Sequence, residues 1–261
     1  MTDAVGDALR SNYSVTGVAV MQAMYSTDYL SMGGVASTDE LAERAGVSHE
    51  SHVLDVGCGV GGPMLHLADR YGCTVTGLDL VESSIAEADR RAAARDLAGR
   101  ARFVAGDATD LPFESGDFDI VWGQDAWCHI PDKAQLVAEC ARVTAPGGVM
   151  AFIDWLAGDG MSTADRDRVL SAALSTRAAT ADEYRGLLAD NGFENVEFDD
   201  LSSVFTQQYC SIFERLTDRR AALVEQFGER VYGIVRDMNE TILEGFEQGG
   251  IRGGRFVARR R

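Results

Sequence analysis

The sequence predicts an α/β fold built on a doubly wound, mostly parallel seven-stranded sheet, with N-terminal helices and a helical insertion before the last strand. Two observations carry this prediction. Short apolar, β-branched segments alternate with helical segments between residues 52 and 153, which is typical of parallel strands joined by helices. The first strand also runs directly into a glycine-rich turn that opens a helix.

The elements follow in order along the chain. Residues 1–48 have helical patterns, and STDE (Ser37 to Glu40) is interpreted as a capping box that opens a helix. From residue 49 onwards we expect one sheet-containing domain. Its predicted strands are His52–Val56, Thr74–Leu78, Arg102–Ala105, Phe118–Trp122, Val149–Ile153, Asn195–Phe198 and Gly254–Ala258. The predicted helices between them are Gly61–Tyr71, Glu82–Arg95, Lys133–Val143 and one capped by TADE (Thr180 to Glu183).

A stretch of helical pattern at about 200–250 separates the last two predicted strands. An insertion of that size beside a sheet edge could cover a binding site on the acceptor side, as a lid does. It could also be helical packing against the core, and the sequence leaves both interpretations open.

The composition limits the partners. Among 261 residues there are 24 Lys and Arg against 41 Asp and Glu, a net charge of -17. Such a surface repels the phosphates of nucleic acids and anionic membranes, and no apolar stretch is long enough for a membrane span. We therefore expect neither partner. Five cysteines without a CxxC pair argue against disulfides and structural zinc, so we expect no metal site and a cytoplasmic location.

The strongest motif is VLDVGCGVGGP (Val53 to Pro63). Gly57, Gly59 and Gly61 let the backbone adopt positive φ and approach a ligand closely, and the helix that follows offers free N–H groups at its N-terminus. This Rossmann-like turn also suits a dinucleotide, and the structural alternative is a plain tight turn.

Three acidic residues distinguish between a dinucleotide site, a plain tight turn and a site for a ligand with a charged amino-acid portion. Asp55 lies inside the first strand, where a carboxylate can reach a positively charged amino-acid portion that a dinucleotide lacks. Asp79 ends the second strand and can accept both ribose hydroxyls, and Asp107 follows the third strand, where it could bond an adenine amino group. Because consecutive parallel strands end at one crevice, the three acids together favour S-adenosylmethionine.

A family resemblance agrees with this interpretation. VLDVGCGVGG, GLDL, GDATDLPF, FDIVWGQD and the APGG turn resemble the cofactor-binding motifs of class I S-adenosylmethionine-dependent methyltransferases, over residues 53 to 154. The resemblance implies a methyltransferase domain at 49–261 with S-adenosylmethionine as its cofactor. It also implies cofactor contacts by Leu80, Ala108 and Gln124, which lie inside these motifs.

A narrower resemblance covers NYSVTGVAVMQAMYSTDYLSMGG (Asn12 to Gly34) and QDAWCHIPDK (Gln124 to Lys133). Both segments are similar to phosphoethanolamine N-methyltransferases, and the second also to sarcosine/dimethylglycine N-methyltransferases. The resemblance implies that Tyr13 and His129 form a hydrogen-bonded catalytic pair, that residues 1–48 form a lid, and that two residues touch the cofactor, Leu30 and Ser31.

The chemistry gives His129 a role of its own. Methyl transfer is an in-line displacement that depends on closeness and alignment. An ammonium acceptor must first lose a proton, and a positioned histidine can take it, which contributes about 10²–10⁴-fold in rate. The structural alternative is a capping or core histidine beside Pro131. Asp125 is a candidate partner for the acceptor amine and equally a candidate structural residue.

The phosphate-binding residues of the phosphoethanolamine enzymes are mostly missing here. Asp154-Trp155 stands where they have Asp-Tyr, Met21 replaces one of their tyrosines, and Arg177 is the only cation in VLSAALSTRAAT. These differences argue against a phosphobase acceptor.

The candidate acceptor-side residues are instead mainly apolar and aromatic. Aromatic faces attract a cationic amine, stack on a ring or line an apolar chain, and core packing is the alternative for each. The candidates are Met21, Tyr25, Tyr29, Trp127, Trp155 and Arg177.

We therefore expect methyl transfer from S-adenosylmethionine to a small-molecule acceptor, and an amine nitrogen is the favoured atom. The first alternative is an O- or C-methyltransferase that tailors a natural product with an aromatic or terpenoid acceptor. The second is a non-catalytic S-adenosylmethionine-binding protein. Tyr13 and His129 argue against this second alternative, because a pure binder needs neither residue.

Overall fold

The strand and helix segments assemble into one seven-stranded sheet in the computed structural model, which describes residues 19–23, 29, 31–175 and 177–261. The strands are β1 (His52–Val56), β2 (Thr74–Asp79), β3 (Ala101–Ala105), β4 (Phe118–Gln124), β5 (Thr144–Ala157), β6 (Phe193–Asp200) and β7 (Ile251–Arg260). Their order across the sheet is β3-β2-β1-β4-β5-β7-β6. β7 runs antiparallel to both of its neighbours, and the other pairs are parallel. The predicted fold class is confirmed.

Helices cover both faces of this sheet. They are α1 (Gly34–Ala45), α2 (Gly62–Tyr71), α3 (Glu82–Ala94), α4 (Lys133–Val143), α5 (Thr163–Ala172), α6 (Ala181–Asp190), α7 (Ser202–Asp218), α8 (Arg220–Phe227) and α9 (Glu229–Glu247). A short 3₁₀ turn spans Trp127–His129, and residues 19–23 are helical. The predicted insertion between the last two strands consists of α7, α8 and α9.

The alternation of side chains along the strands divides the core in two. Val53 and Leu54 are neighbours in β1, so they point to opposite faces of the sheet. Val53 belongs to the cluster packed under α1, α2, α3, α5 and the insertion. Leu54 belongs to the cluster packed under α4 and α6. Both faces of β1 are thereby buried, which explains its continuous apolar sequence.

The capping box predicted at Ser37 is wrong. α1 begins three residues earlier, at Gly34, after Gly33 in the left-handed conformation at φ 80°. Thr38, inside the same motif, is fully buried, and its hydroxyl donates to Gln124 Oε1 at 2.9 Å. The motif therefore anchors α1 to the sheet and does not begin the helix.

The second predicted cap is confirmed, and six of the seven strands are longer than predicted, β5 and β7 by the most residues. Thr180 Oγ1 accepts a hydrogen bond from the Glu183 amide at 3.1 Å and begins α6. β5 takes in the APGG turn, since it pairs with β4 from Thr144 onwards. β7 extends to Ile251 because it pairs with β5 as far as Ala157. A local apolar pattern identifies only the central residues of a strand, because pairing with the neighbouring strands determines where the strand begins and ends.

Within the described ranges, no helix combines the length and the apolarity needed to cross a bilayer. The same residues contain no group of three His, Cys, Asp or Glu side chains that could hold a metal ion. All five cysteines are free thiols.

Candidate functional site

A cavity lies where β1, β2 and β4 end. β1 has β2 on one side and β4 on the other, so this is the point where the strand order reverses and where ligands bind in open α/β sheets. The cavity is open to solvent on one side, and the ends of these three strands form its wall. The predicted site residues that line it are Ser31, Asp55, Gly57, Gly59, Asp79, Leu80, Ala108, Gln124 and His129.

The glycine-rich turn after β1 forms the floor of the cavity. Gly57 has φ 89°, and a Cβ there would lie 2.4 Å from Ala126 Cβ. Gly61 has φ 79° and is the N-cap of α2, and no side chain caps this end of the helix among the described residues. Its own Cβ would meet Phe103 at 2.9 Å. The turn needs glycine for both conformation and space, and it leaves the first amides of α2 available to a ligand.

Asp79, at the end of β2, is held in place by the backbone. Its Oδ2 accepts from the Gly59 amide at 2.8 Å and its Oδ1 accepts from the Val81 amide at 2.9 Å. Burial raises the pKa of Asp79, and the bonds from the backbone amides oppose that shift. Each oxygen keeps a further lone pair, so the carboxylate can still accept hydrogen bonds from a diol.

Asp55 is almost completely buried at 2% exposure. Its Oδ1 has no hydrogen-bond partner among the described residues. Burial, with the charge of Asp79 beside it, raises the pKa of the Asp55 carboxyl well above its usual range. A buried carboxyl oxygen without a partner is costly, so this residue is suited to a ligand that carries a positive charge or hydrogen-bond donors.

Asp107 differs from the other two acids. Its Oδ1 accepts from the amide of Thr109 at 2.9 Å and from its hydroxyl at 2.7 Å. Burial would raise the pKa of Asp107, but these bonds outweigh it and lower the pKa. Gly106 and Ala108 line the cavity on either side of Asp107. Asp107 itself is not among the described residues that line the cavity, so the loop reaches the site through these two neighbours.

The segment before α1 is fastened to the wall of the cavity. The Tyr29 hydroxyl donates to Thr38 Oγ1, which donates in turn to Gln124 Oε1. The Met32 amide donates to Asp125 Oδ2 at 2.7 Å. β4 ends at Gln124. The first set of bonds therefore reaches the last residue of β4, and the bond from Met32 reaches the residue that follows it.

Asp125 is a site residue that the sequence left undecided. It follows β4 with φ 59°, a left-handed conformation that Asp tolerates better than most residues. It lines the cavity, and its Oδ1 has no partner among the described residues. Burial raises its pKa to about 8, and Asp154 adds to the shift while the Met32 amide opposes it. The sequence signals were an acid immediately after a buried strand and its place in the QDAWCHIPDK segment.

His129 closes the same wall, at the end of the 3₁₀ turn. Its Nδ1 lies 3.2 Å from the Leu174 carbonyl, which accepts a hydrogen bond and so places the proton on Nδ1 and a lone pair on Nε2. Leu174 itself has φ 54°. Burial lowers the pKa of His129 to about 4, although the Leu174 carbonyl opposes the shift. The imidazole is therefore neutral near pH 7.

The structure does not bring the predicted tryptophans or Arg177 to the cavity wall. Trp127 is fully buried, stacks on Phe152 at 4.3 Å and donates from Nε1 to the Val56 carbonyl. Trp155 packs edge-on against aromatic rings of α7 and α9, and Arg177 pairs with Glu183 on α6. Trp155 belongs to the core cluster on one face of the sheet, and Trp127 belongs to the core cluster on the other face.

Tyr29 lies over the glycine-rich turn, where a Cβ on Gly62 would be 3.5 Å from its ring. Its ring also meets His66 edge-on. This position places Tyr29 above the start of α2, beside the glycine-rich turn. Met21 belongs to the helical residues 19–23. Tyr13, Tyr25 and Leu30 lie outside the described residues.

Comparison with known proteins agrees with this geometry. A family model described as a methyltransferase domain matches residues 54–152. The glycine/sarcosine/dimethylglycine N-methyltransferase of Actinopolyspora halophila is 31% identical over 74% of the chain and 34% of its own length. The 27-O-demethylrifamycin SV methyltransferase of Amycolatopsis mediterranei is 31% identical over 70% of the chain and 68% of its own length.

The chain belongs to the methyltransferase family. It spans only about a third of the length of the Actinopolyspora relative. Among solved structures, phosphoethanolamine N-methyltransferase 2 of Haemonchus contortus has a TM-score of 0.90 at 22% identity, covering 100% of the chain and 61% of that protein. At this identity the likeness concerns the fold, and it covers the insertion as well as the sheet.

Proposed function

We propose that this methyltransferase binds S-adenosylmethionine in the cavity and transfers its methyl group to the nitrogen of a small amine. The observation that carries the proposal is a pair of buried carboxyls, Asp55 and Asp125, in the wall of one cavity. Each has an oxygen without a partner among the described residues. Two such groups in one site call for positive charge or hydrogen-bond donors at two separate points.

The cofactor half of the cavity contains residues that fit S-adenosylmethionine. Asp55 would take the amino group of its amino-acid portion, and the Gly57–Gly61 turn gives the close backbone approach that this portion needs. Asp79 would accept the ribose hydroxyls, with Leu80 and Ala108 beside the adenine and Asp107 near its amino group. Leu30 and Ser31 would close the site from above. When bound, the cofactor supplies a methyl group on a positively charged sulfur.

The acceptor half of the cavity combines Asp125 and His129. The Asp125 carboxylate would pair with an ammonium acceptor, and this new charge would lower the pKa of Asp125 from about 8. The lone pair on His129 Nε2 would then take the ammonium proton and leave a neutral amine to attack. Tyr13 would orient His129 from the N-terminal segment. The low pKa of His129 in the ligand-free protein means that a nearby anion such as Asp125 is needed to make it basic enough.

The remaining parts of the chain have supporting roles in this proposal. Residues 1–48 form a lid, supported by the bonds from Thr38 to Gln124 and from Met32 to Asp125. The insertion at about 200–250 covers the acceptor side of the domain at 49–261. A cytoplasmic location is supported by five free thiols.

One observation favours a second candidate, an O- or C-methyltransferase of a natural product. None of the described residues that line the cavity is Arg or Lys, so the described wall offers no cation to a phosphate. The 27-O-demethylrifamycin SV methyltransferase, whose name specifies an oxygen acceptor, is as similar in sequence as the N-methyltransferase. An uncharged acceptor would fit this wall equally well.

A panel of acceptors tests the proposal through the formation of S-adenosylhomocysteine. It should include glycine derivatives, ethanolamine phosphates, and aromatic and terpenoid compounds. We expect turnover with an amine lacking phosphate, and Asp125→Asn should abolish most of it while Asp69→Asn, an exposed acid on α2, retains it. Turnover only at oxygen or carbon would favour the second candidate. Binding of the cofactor without turnover of any compound would favour a non-catalytic binder.

A further inference from the structure

Lys133 is the only lysine of the chain, and it is buried, with 1% of its surface exposed. It is the first residue of α4, where the positive end of the helix dipole opposes a cation. Burial lowers the pKa of its ammonium group, although the neighbouring Asp154 opposes the shift. Both effects make this position unfavourable for a lysine unless specific partners compensate it.

Those partners are present. Lys133 Nζ donates to the Trp127 carbonyl and lies 4.0 Å from Asp154 Oδ2. The Tyr184 hydroxyl donates to the same Asp154 oxygen at 2.6 Å. Asp154 and Tyr184 are both fully buried, on β5 and α6. We call these three residues the buried network.

The network converges on the turn that carries His129. Lys133 holds the first carbonyl of the turn, at Trp127, and the same ammonium group lies 4.0 Å from Asp154 Oδ2 on β5. From the other side, Ser175 Oγ donates to the Cys128 carbonyl at 2.5 Å. The turn is thus tied to β5 and α6 beneath it and to the end of α5 beside it.

Stability alone does not account for this arrangement. A buried ion pair often contributes no more than apolar side chains of the same volume, and apolar side chains surround this one on α4 and α6. The compact ammonium group of lysine donates in three tetrahedral directions, whereas the five donors of a guanidinium lie in one plane. Arg177 and Glu183 also act on Lys133, with opposite effects on its pKa, and they pair with each other.

We propose that Lys133, Asp154 and Tyr184 are positioning residues that fix the 127–129 turn and, through it, the ring of His129 at the cavity. None of the three lines the cavity, so they act through the turn and not on the ligands. The inference rests on the proposed function only for its effect on turnover, since the position of His129 can be measured without an acceptor.

Histidine NMR provides that measurement. The chain has four histidines, and His129→Asn assigns the ring signals of the fourth. In the wild type we expect His129 as the tautomer protonated on Nδ1. In Tyr184→Phe and Lys133→Met we expect a mixture of tautomers and broadened His129 signals, with His49, His52 and His66 unchanged.

Two variants control for the loss of a buried hydroxyl and a buried cation. Tyr232→Phe changes a buried tyrosine on α9, and Arg91→Met removes a buried cation that pairs with Glu87 on α3. Both should leave the His129 signals unchanged. If Lys133→Met does not fold, Tyr184→Phe decides the matter. Wild-type His129 signals in folded Tyr184→Phe and Lys133→Met would overturn the proposal.

Kinetics supply the second readout once an acceptor is known. We expect kcat to fall about 10–100-fold in Tyr184→Phe, the size of effect that a small displacement of a reacting group produces. The Kd for S-adenosylmethionine should change by less than about twofold, because the network does not touch the cofactor half. An unchanged kcat with altered His129 signals would count against the role of His129 under the proposed function, and it would leave the positioning role supported.

Discussion

At the scale of single residues, the environment divides the acids of the site into two kinds. Burial raises the pKa of Asp55 and Asp125, so both carboxyls hold protons more tightly than exposed acids do. Two hydrogen bonds from Thr109 lower the pKa of Asp107 despite its partial burial. Asp107 therefore remains an anion at neutral pH. A positively charged ligand would stabilise the ionised forms of Asp55 and Asp125 and lower the pKa of both carboxyls.

Asp79→Asn should weaken cofactor binding. The substitution removes the charge that would accept the ribose hydroxyls, and a charged hydrogen bond contributes about 1.5–3 kcal/mol, or roughly 10–150-fold in Kd. Calorimetry with S-adenosylhomocysteine measures this, and Asp69→Asn, an exposed acid on α2, is the control. Equal affinity in wild type and Asp79→Asn would contradict the assignment.

Asp125 should make the stability of the ligand-free protein depend on pH. Its pKa is 3.8 in the reference state and about 8 in the folded protein. The stabilising contribution is therefore fully present below the lower value and is lost as pH rises towards the higher one, by up to about 1.4 kcal/mol per pH unit. Chemical denaturation between about pH 5 and pH 8.5 should show this loss in wild type and a smaller one in Asp125→Asn. Parallel curves would refute the raised pKa.

At the scale of elements, α9 packs closely against α5 and β7 at one glycine, Gly245. A Cβ on Gly245 would lie 2.5 Å from Val169 on α5 and 3.1 Å from Ile251 on β7. Gly233, on the same helix, has nothing within 4 Å of the same position. An alanine at Gly245 therefore tests the close packing of α9, whereas an alanine at Gly233 tests helix propensity alone.

The two alanine variants should have opposite effects. Gly245→Ala should destabilise the protein by about 1–3 kcal/mol, because the new methyl group overpacks the contact with α5. Gly233→Ala should stabilise it by about 0.5–1 kcal/mol, because alanine is the better helix former. Urea denaturation measures both, and a stabilised Gly245→Ala would show that α9 can move away from α5 at little cost.

The N-terminal segment should respond to the cofactor as an element. Its bonds through Thr38 and Met32 reach Gln124 and Asp125 at the cavity. Hydrogen exchange in peptides that cover residues 31–41 should therefore slow when S-adenosylhomocysteine binds. Thr38→Val should reduce this protection, whereas Thr217→Val, whose hydroxyl bonds only within α7 among the described contacts, should not. The lid assignment fails if protection is the same with and without the ligand.

At the scale of the whole molecule, the dominant feature is the net charge of -17. Many of the described arginines already pair with acids, for example Arg255 with Glu40 and Asp199. The excess acids therefore repel one another across the surface, and this repulsion disfavours the compact state.

Salt should stabilise the protein by screening this repulsion. Between about 0.01 M and 1 M sodium chloride the Debye length falls from about 30 Å to about 3 Å. We expect a gain of about 1 kcal/mol, which corresponds to a rise in Tm of roughly 2–4 °C for a chain of this size. Sucrose at matched osmolality controls for exclusion of solutes from the surface. A Tm that stays constant or falls with added chloride would contradict the prediction.

The sequence by itself determined the order and type of the elements from β1 to β5 and the meeting of Asp55 and Asp79 at one cavity. These features depend on local patterns. Alternating segments define β-α-β units, and glycines spaced along one turn define a close backbone approach. Asp55 and Asp79 are located by the strands that contain them, so their meeting at one edge follows from the parallel sheet.

Only the tertiary structure decided which of the candidate side chains face the cavity and which face the core. Trp127 and Trp155 carry no local signal of which face they occupy, and the packing of both sheet faces places them in the core. The burial of Lys133 and the bond from Thr38 to Gln124 join residues from separate elements. β7 pairs between β5 and β6 through contacts that are distant in sequence. Local patterns encode backbone conformation and periodicity, whereas burial and long-range partners arise only when the elements pack together.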